Sequence, residues 1–269
     1  MNEKEKAPED ALNRVEAIKK KVIYTCLTNS HDSLEEPTEH VRERNKDWDM
    51  ICFTDNPDLK SKNWKIIQIP KDELKEEGRK TCRKYKILAH KYVPEYNISV
   101  WMDASCKLNT NLDKFVASNL DIKNGGVLAL CKHRDRNCLI EEYRANICRN
   151  NKGAHKDIPE VMLDQIFQYF LEGYPVNNGM VETGILIRNH GDKSLKVFSE
   201  MWWNEVKQKS IRDQLSFNYV MWNYPISHHL INSPRYAGGK YDHSEGIVFG
   251  HQFKLKGFAR RMKVRDKKS

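Results

Sequence analysis

Apolar residues in this chain fall into short unbroken runs, each closed by polar or turn-forming residues. Lys21–Thr28 (KVIYTCLT) runs into Asn-Ser-His-Asp, Trp48–Asp58 (WDMICFTDNPD) ends in turn chemistry, and Asn63–Pro70 (NWKIIQIP) stops at proline. Runs of this length without polar alternation predict strands buried on both faces. Between them the period lengthens. Residues 8–20 place Leu12, Val15 and Ile18 on one helical face behind Pro8, and residues 72–93 read as one long basic helix halted before Pro94. A fourth run, Ile98–Met102, ends abruptly in Asp103. Strand–loop–helix alternation of this kind predicts an α/β fold, a mixed but mostly parallel sheet flanked by helices in one domain.

The second half is less regular. Gly125–His133 (GGVLALCKH) reads as a strand and is followed by helices near 138–150 and 158–172. Gly179–His190 (GMVETGILIRNH) is a strand interrupted by Glu182-Thr183-Gly184, and further helices are expected near 192–209 and 212–223. Ligands on open α/β sheets sit beyond the carboxyl ends of the strands. Three ends carry polar side chains: Thr25 to Asn29, Thr54-Asp55 and Asp103 to Ser105. Each alone reads as a turn. Together they point to one cleft.

Asp103 is the first candidate there. A carboxylate at a strand end holds a divalent cation that neutralises a diphosphate, or caps the segment beginning near Asn109. A second acid two residues on would share the ion, but that position is Ser105. On the preceding helix Arg79, Arg83 and Lys86 recur at spacings of four and three and share a face. They read either as phosphate ligands for a departing diphosphate or as a solvated basic face. Glu182 reads as a general base or acceptor ligand, or as a surface acid; Thr183-Gly184 beside it leaves room for close approach. Asp213-Gln214 opens a helix, where Asp213 is also an ordinary dipole partner or a mate for Arg212. His133, Arg134, Glu141 and Glu142 read as an anionic-acceptor site or, by preference, as helix-surface ion pairs. His251 is the histidine best placed in sequence to complete a metal shell begun by Asp103.

Charge and cysteine usage narrow the setting. The 269 residues carry a formal net charge of +9, and Lys254–Lys268 (KLKGFARRMKVRDKK) concentrates much of it. Such a stretch is either a solvated terminus or a contact for an anionic membrane surface; no pattern specific to nucleic acid accompanies it. The seven cysteines form no CxxC pair, which argues against a zinc or redox motif. No run reaches membrane-span length and the opening MNEKEKAPED lacks an apolar signal core, so a reducing cytoplasmic setting is expected. The expected organisation is an N-terminal helical extension over 1–20, one domain over 21–253 and a basic tail over 254–269.

In order and wording, RKYKILAHKYVPEYNISVWMDASCKL, KHRDRNCLIEEY, ETGILIRNH and SIRDQLSFNYVMW resemble a glycosyltransferase-like family of GT-A type. That family was formerly known only as a domain of unknown function and has members in bacterial polysaccharide loci and the plant secretory pathway. A more distant similarity is to the family-8 retaining glycosyltransferases. There Asp103 matches the first acid of an Asp-x-Asp pair, Lys86 the basic residue of the preceding helix, Thr183-Gly184 a small-Gly pair and Asp213-Gln214 an Asp-Gln pair. Ser105 departs from the pattern, and the segment around His251 matches poorly. The resemblance implies transfer of a sugar from a nucleoside-diphosphate sugar, UDP by preference, to a glycan or lipid-linked saccharide in surface polysaccharide synthesis, with retention. It implies that Thr25, Asn29 and Asp55 contact the nucleoside. Asp103 with Mn²⁺ or Mg²⁺, together with Arg83 and Lys86, would stabilise the diphosphate, while Glu182, Asp213 and Gln214 surround the sugar and acceptor. The alternative is a catalytically idle module that holds a nucleotide or another anion, which Ser105 favours. A hydrolase acting on lipid or glycan ranks third, since no HxxxH spacing appears.

Overall fold

One mixed sheet of seven strands organises the chain. The structure, a computed structural model, describes residues 20–28, 33–75, 77–104, 106–150, 157–232 and 246–248. Its strands are β1 (Lys21–Leu27), β2 (Asp49–Thr54), β3 (Lys65–Gln68), β4 (Ile98–Met102), β6 (Leu128–Lys132), β7 (Val181–Asn189) and β8 (His228–Asn232), with β5 (Lys107–Asn109) and β9 (Gly246–Val248) forming a separate pair. The helices are α1 (Glu39–Glu43), α2 (Gly78–Ile87), α3 (Ala89–Tyr92), α4 (Leu112–Asn119), α5 (Leu139–Asn150), α6 (Pro159–Leu171), α7 (Lys193–Gln208) and α8 (Asp213–Asn223). Strand order is β3-β2-β1-β4-β7-β6-β8. The first four of these pair in parallel, β7 runs antiparallel to β4 and β6, and β8 is parallel to β6. The expected mostly parallel α/β sheet is therefore the one observed.

The unbroken apolar runs follow from burial on both faces. Along β4, Ile98, Val100 and Met102 join Ile23, Trp48 and Leu112 in one cluster, while Trp101 joins Tyr24, Tyr85 and Trp202 in the other. Successive side chains leave a strand on opposite sides, so a strand covered twice needs apolar residues at every position. The parallel register Leu27↔Thr54 and Tyr24↔Trp101 brings the carboxyl ends of β1, β2 and β4 to the same edge. This is the convergence that the three polar strand ends predicted.

Four expectations change. The single helix over 72–93 is a short 3₁₀ turn at Glu73–Lys75 followed by α2 and α3, broken at Leu88 with φ −91° and ψ 47°. The break has a visible cause. The Lys86 carbonyl, which a continuing helix would bond internally, accepts instead from Tyr24 Oη at 3.2 Å and Arg188 Nη2 at 2.7 Å. Leu88, Ala89 and Val93 then turn into the core. Asp103 is not the cap of the next helix; Asn111 is, its side chain accepting from Lys114 N at 2.9 Å. Strands β5, β8 and β9 have no counterpart in the sequence reading, because they are short pieces that only pairing defines. Lastly, the interruption in β7 is a change of register. Against β6 the pairing jumps from Leu130↔Leu186 to Cys131↔Glu182, leaving Thr183, Gly184 and Ile185 without a partner on β6.

No helix among the described residues is long and apolar enough to cross a membrane. The N-terminal extension and the basic tail over 254–269 lie outside the described residues.

Candidate active site

The site gathers at the register jump in β7. On the opposite side of that strand the β4 register runs on unbroken, and the Gly184 carbonyl accepts the Asp103 backbone N–H at 2.8 Å, one residue beyond the ladder. The Thr183 hydroxyl meets side chains of α2 and α8. Lys86, on the last turn of α2, donates to Thr183 Oγ1 at 2.9 Å, and Thr183 donates in turn to Asp213 Oδ2 at 2.8 Å. Lys86 Nζ stands 2.6 Å from Asp213 Oδ2 and 3.6 Å from Asp103 Oδ1. Arg83, one turn earlier, places Nε 3.0 Å from Asp213 Oδ1, at an angle too oblique for a hydrogen bond. Trp101 Nε1 donates to Asp103 Oδ1 at 2.7 Å, on the same side of β4 as the Lys86 ammonium, which lies 5.9 Å from the indole ring.

Burial decides the role of each acid. The Asp213 side chain is 2% exposed and that of Asp103 36%. Burial alone would raise the Asp213 carboxyl, but Arg83, Lys86 and Arg212 outweigh it and hold the group well below the usual carboxylate range. Burial likewise opposes the Arg83 charge, and Asp213 and Asp103 more than offset it. Asp213 is thus a permanently ionised anchor for two cations. It does not mate with Arg212, and so weak a base is unsuited to taking a proton from a hydroxyl. Asp103 is the carboxylate that reaches solvent.

A second group lies along β6 and the start of β7. His133 is buried, and its Nδ1 accepts the backbone N–H groups of Asp135 and Arg136, both at 3.1 Å. The ring proton is therefore assigned to Nε2, which faces Glu182 Oε1 at 4.0 Å. Arg134 Nε lies 3.5 Å from the same oxygen, and the Glu182 side chain is 12% exposed. Glu182 is accordingly not a surface acid. Glu142 differs further from expectation: it is fully buried, not on a helix surface, with Arg136 on Oε2 and Arg212 Nη2 on Oε1 at 2.7 Å. Those charges overcome burial and hold its carboxyl at about 2.

The nucleoside-side candidates are less gathered. Thr25 is fully buried and its hydroxyl finds no partner among the described residues, so it has no surface to offer a ligand. Thr28, which the sequence reading passed over, bonds the Gly78 carbonyl at 2.7 Å and ties the end of β1 to the start of α2. Asp55 follows β2 and Arg79 opens α2, both half-buried. Asn29, Ser105 and His251 lie outside the described residues. Trp101 was missed because it lies in an apolar run, and the role of Arg212 because a salt bridge to the adjacent Asp213 gave it a sufficient reason to be there.

A divalent ion finds little here. Among the described residues no group of three His, Cys, Asp or Glu side chains is placed to hold one. Asp103, the exposed carboxylate, already has an indole N–H on Oδ1 and an ammonium close by. Among the described residues this donor set does not by itself make a metal centre; Ser105 and His251, the other expected ligands, lie outside them.

Two histidines set an acid limit to stability. Burial, aided by Arg136 for His133 and by Arg188 for His190, lowers both from 6.5 to about 4. Each is neutral when folded but takes a proton in the unfolded chain below its ordinary value, so stability is lost as pH falls from 6.5 toward 4. Urea unfolding should show a loss on the order of 2–3 kcal/mol for each histidine between about pH 7 and about pH 4.5. The double variant His133→Asn/His190→Asn should flatten that slope; an unchanged slope would assign it to other groups.

Comparison with known proteins places the chain. It is 26% identical over 227 residues to the alkaline ceramidase TOD1 of Arabidopsis thaliana, covering 74% of this chain and 47% of that protein. It is 24% identical over 160 residues to the probable hexosyltransferase MUCI70 of the same plant, covering 58% of this chain and 27% of that protein. The chain thus spans less than half the length of either relative. Mouse xyloside xylosyltransferase 1 in its apo form superposes with a TM-score of 0.41 at 11% identity, over 79% of this chain and 84% of that one. The family model for the TOD1/MUCI70 glycosyltransferase-like domain matches residues 6–232, and the chain belongs to that family.

Proposed function

We propose that this chain transfers a hexosyl unit from a nucleoside-diphosphate sugar, by preference a UDP-sugar, to a saccharide acceptor. The observation that carries the reading is the Lys86 ammonium held by Asp213 and Thr183 at the edge where three strand ends meet. An ammonium has three donors. Two go to Asp213 and Thr183, and with its side chain 1% exposed and Asp103 3.6 Å away, Lys86 acts on a bound diphosphate through its charge rather than by direct contact. Arg83 keeps its terminal guanidinium donors for the phosphate oxygens. Cations fixed before the donor arrives stabilise charge developing on the leaving diphosphate without reorganising.

Asp103 is suited to accept hydroxyls of the donor, since a carboxylate is a strong acceptor and this one reaches solvent. Glu182, flanked by Arg134 and His133, faces the acceptor in this reading. The low basicity of Asp213 supports retention, in which the acceptor attacks on the leaving-group side and no strong base is required. A lipid-linked acceptor, a role in surface polysaccharide synthesis and a membrane-facing part for residues 254–269 are consistent with the reading and belong to the proposal.

A nucleotide screen tests it. UDP, GDP, CMP and dTDP are added to the protein with and without Mn²⁺, followed by hydrolysis assays on the matching nucleotide sugars. Saturation near a hundredfold over Kd stabilises by about 2.7 kcal/mol, a rise of roughly 5–10 °C in Tm. No shift with any nucleotide would sink the reading, and binding without turnover would favour the idle module. Release of fatty acid from ceramide in a parallel assay would point to the other activity named among the relatives.

A further inference from the structure

Glu142 takes no part in the chemistry proposed above, yet it is the most fully enclosed acid of the site region. Moving a carboxylate out of water costs several kcal/mol unless its oxygens are fully matched. Here they are matched. Oε2 takes Arg136 Nη1, while Oε1 takes Arg212 Nη2 at 2.7 Å and Asn146 Nδ2 at 2.7 Å. The same Arg212 nitrogen also donates to Gln214 Oε1 at 2.8 Å, and Gln214 Nε2 donates to the Val181 carbonyl at 2.9 Å. Both ends of the Gln214 amide are therefore engaged. Its oxygen is set by Arg212 and its nitrogen by the first residue of β7. Asp213, the anchor of Lys86 and Arg83, lies between Arg212 and Gln214. Through Arg136 the same carboxylate also reaches the loop that carries His133 and Arg134.

We propose that Glu142 is a positioning residue. By fixing Arg212 it holds the Arg212–Gln214 turn at the start of α8 in one orientation against β7, and through Arg136 it ties that turn to the acceptor-side loop. Its consequence for turnover rests on the transferase reading; its geometric content does not. A salt bridge serving stability alone would have no need to reach Gln214. Arg212 in this arrangement spans a fully buried acid and the amide beside Asp213 with one nitrogen.

The test follows the Gln214 side chain in the full chain. With ¹⁵N-glutamine labelling, the Gln214 side-chain signal is identified as the one lost in Gln214→Ala. Wild type should show a protected amide. In Glu142→Gln, where Arg212 loses its charged anchor, the signal should move toward that of a solvated glutamine, with exchange at least about tenfold faster. An unchanged, protected signal in Glu142→Gln would overturn the proposal. Should that variant not fold, Arg212→Lys serves in its place. It keeps a positive charge for Glu142, but the lysine nitrogen ends one bond short of the Nη2 position from which both partners are reached, and the same change is expected. In turnover, Glu142→Gln should lower kcat about tenfold with donor KM retained, and combining it with Gln214→Ala should add nothing to the loss from Gln214→Ala alone. Losses that multiply would show two independent sites and refute the coupling. If the wild type turns over no donor, the transferase reading falls, while the Gln214 signal still decides whether Glu142 positions that residue.

Discussion

Asp213→Ala is expected to destabilise the fold by about 3–5 kcal/mol, because it strands buried cations that have no equivalent partner. The Asp213 carboxylate receives Lys86 at 2.6 Å, Arg83 at 3.0 Å and the Thr183 hydroxyl at 2.8 Å, and the Lys86 side chain is itself only 1% exposed. Asp103, 3.6 Å from Lys86 and partly solvated, would absorb only part of that charge. Urea unfolding measures the cost, and a loss below about 1 kcal/mol would mean the cations find other company. The pair Lys86→Met/Asp213→Leu separates stability from function. Replacing both members of a buried ion pair by apolar groups is often neutral or stabilising. The double variant should therefore recover the part of the lost stability due to Lys86, Arg83 remaining without its partner, while failing to bind a nucleoside diphosphate. Recovery of both would remove Lys86 from the donor site.

The second large effect is on turnover. Asp103→Asn should reduce donor turnover about a hundred- to a thousand-fold, the usual result of losing one preorganised polar group at a reacting centre. The fold should be barely affected. The side chain is 36% exposed, and an asparagine oxygen can still accept the Trp101 N–H now bonded at 2.7 Å. Only the charge is lost. Thermal unfolding within about 3 °C of wild type, alongside the fall in kcat, would fit a group that meets the donor. Full turnover in the variant would leave Asp103 a structural end to β4. Asp103 and Asp213 thus make opposite predictions, one for rate and the other for stability, although both are carboxylates near the same lysine. The difference comes from exposure.

Both acids were visible in the sequence as candidates, Asp103 ahead of Asp213, but nothing there told how deeply each is buried. Asp103 stood out because a buried run ended on a charge, and Lys86 because it recurred on one face with Arg79 and Arg83. Glu142 was assigned to a helix surface because an acid pair on a charged helix normally faces water, and its burial depends on Arg136 and Arg212 arriving from either side. Arg188 raised no question at all inside an apolar strand, yet it is fully buried and ends α2 at the turn that aims Lys86.

By itself the amino-acid order determined the class of fold and the edge at which chemistry would gather. Strand burial, helical period and turn residues are local or nearly local in the chain, and three parallel strands must end on the same side. The tertiary structure alone decided which charges meet. Lys86, Thr183 and Asp213 are separated by 97 and 30 residues along the chain, and the register jump beside Thr183 exists only once β6 has paired with β7. Exposure was settled at the same level. Whether a carboxylate anchors a cation or meets a ligand depends on how many cations surround it and how much water remains, and neither is written in its neighbours along the chain.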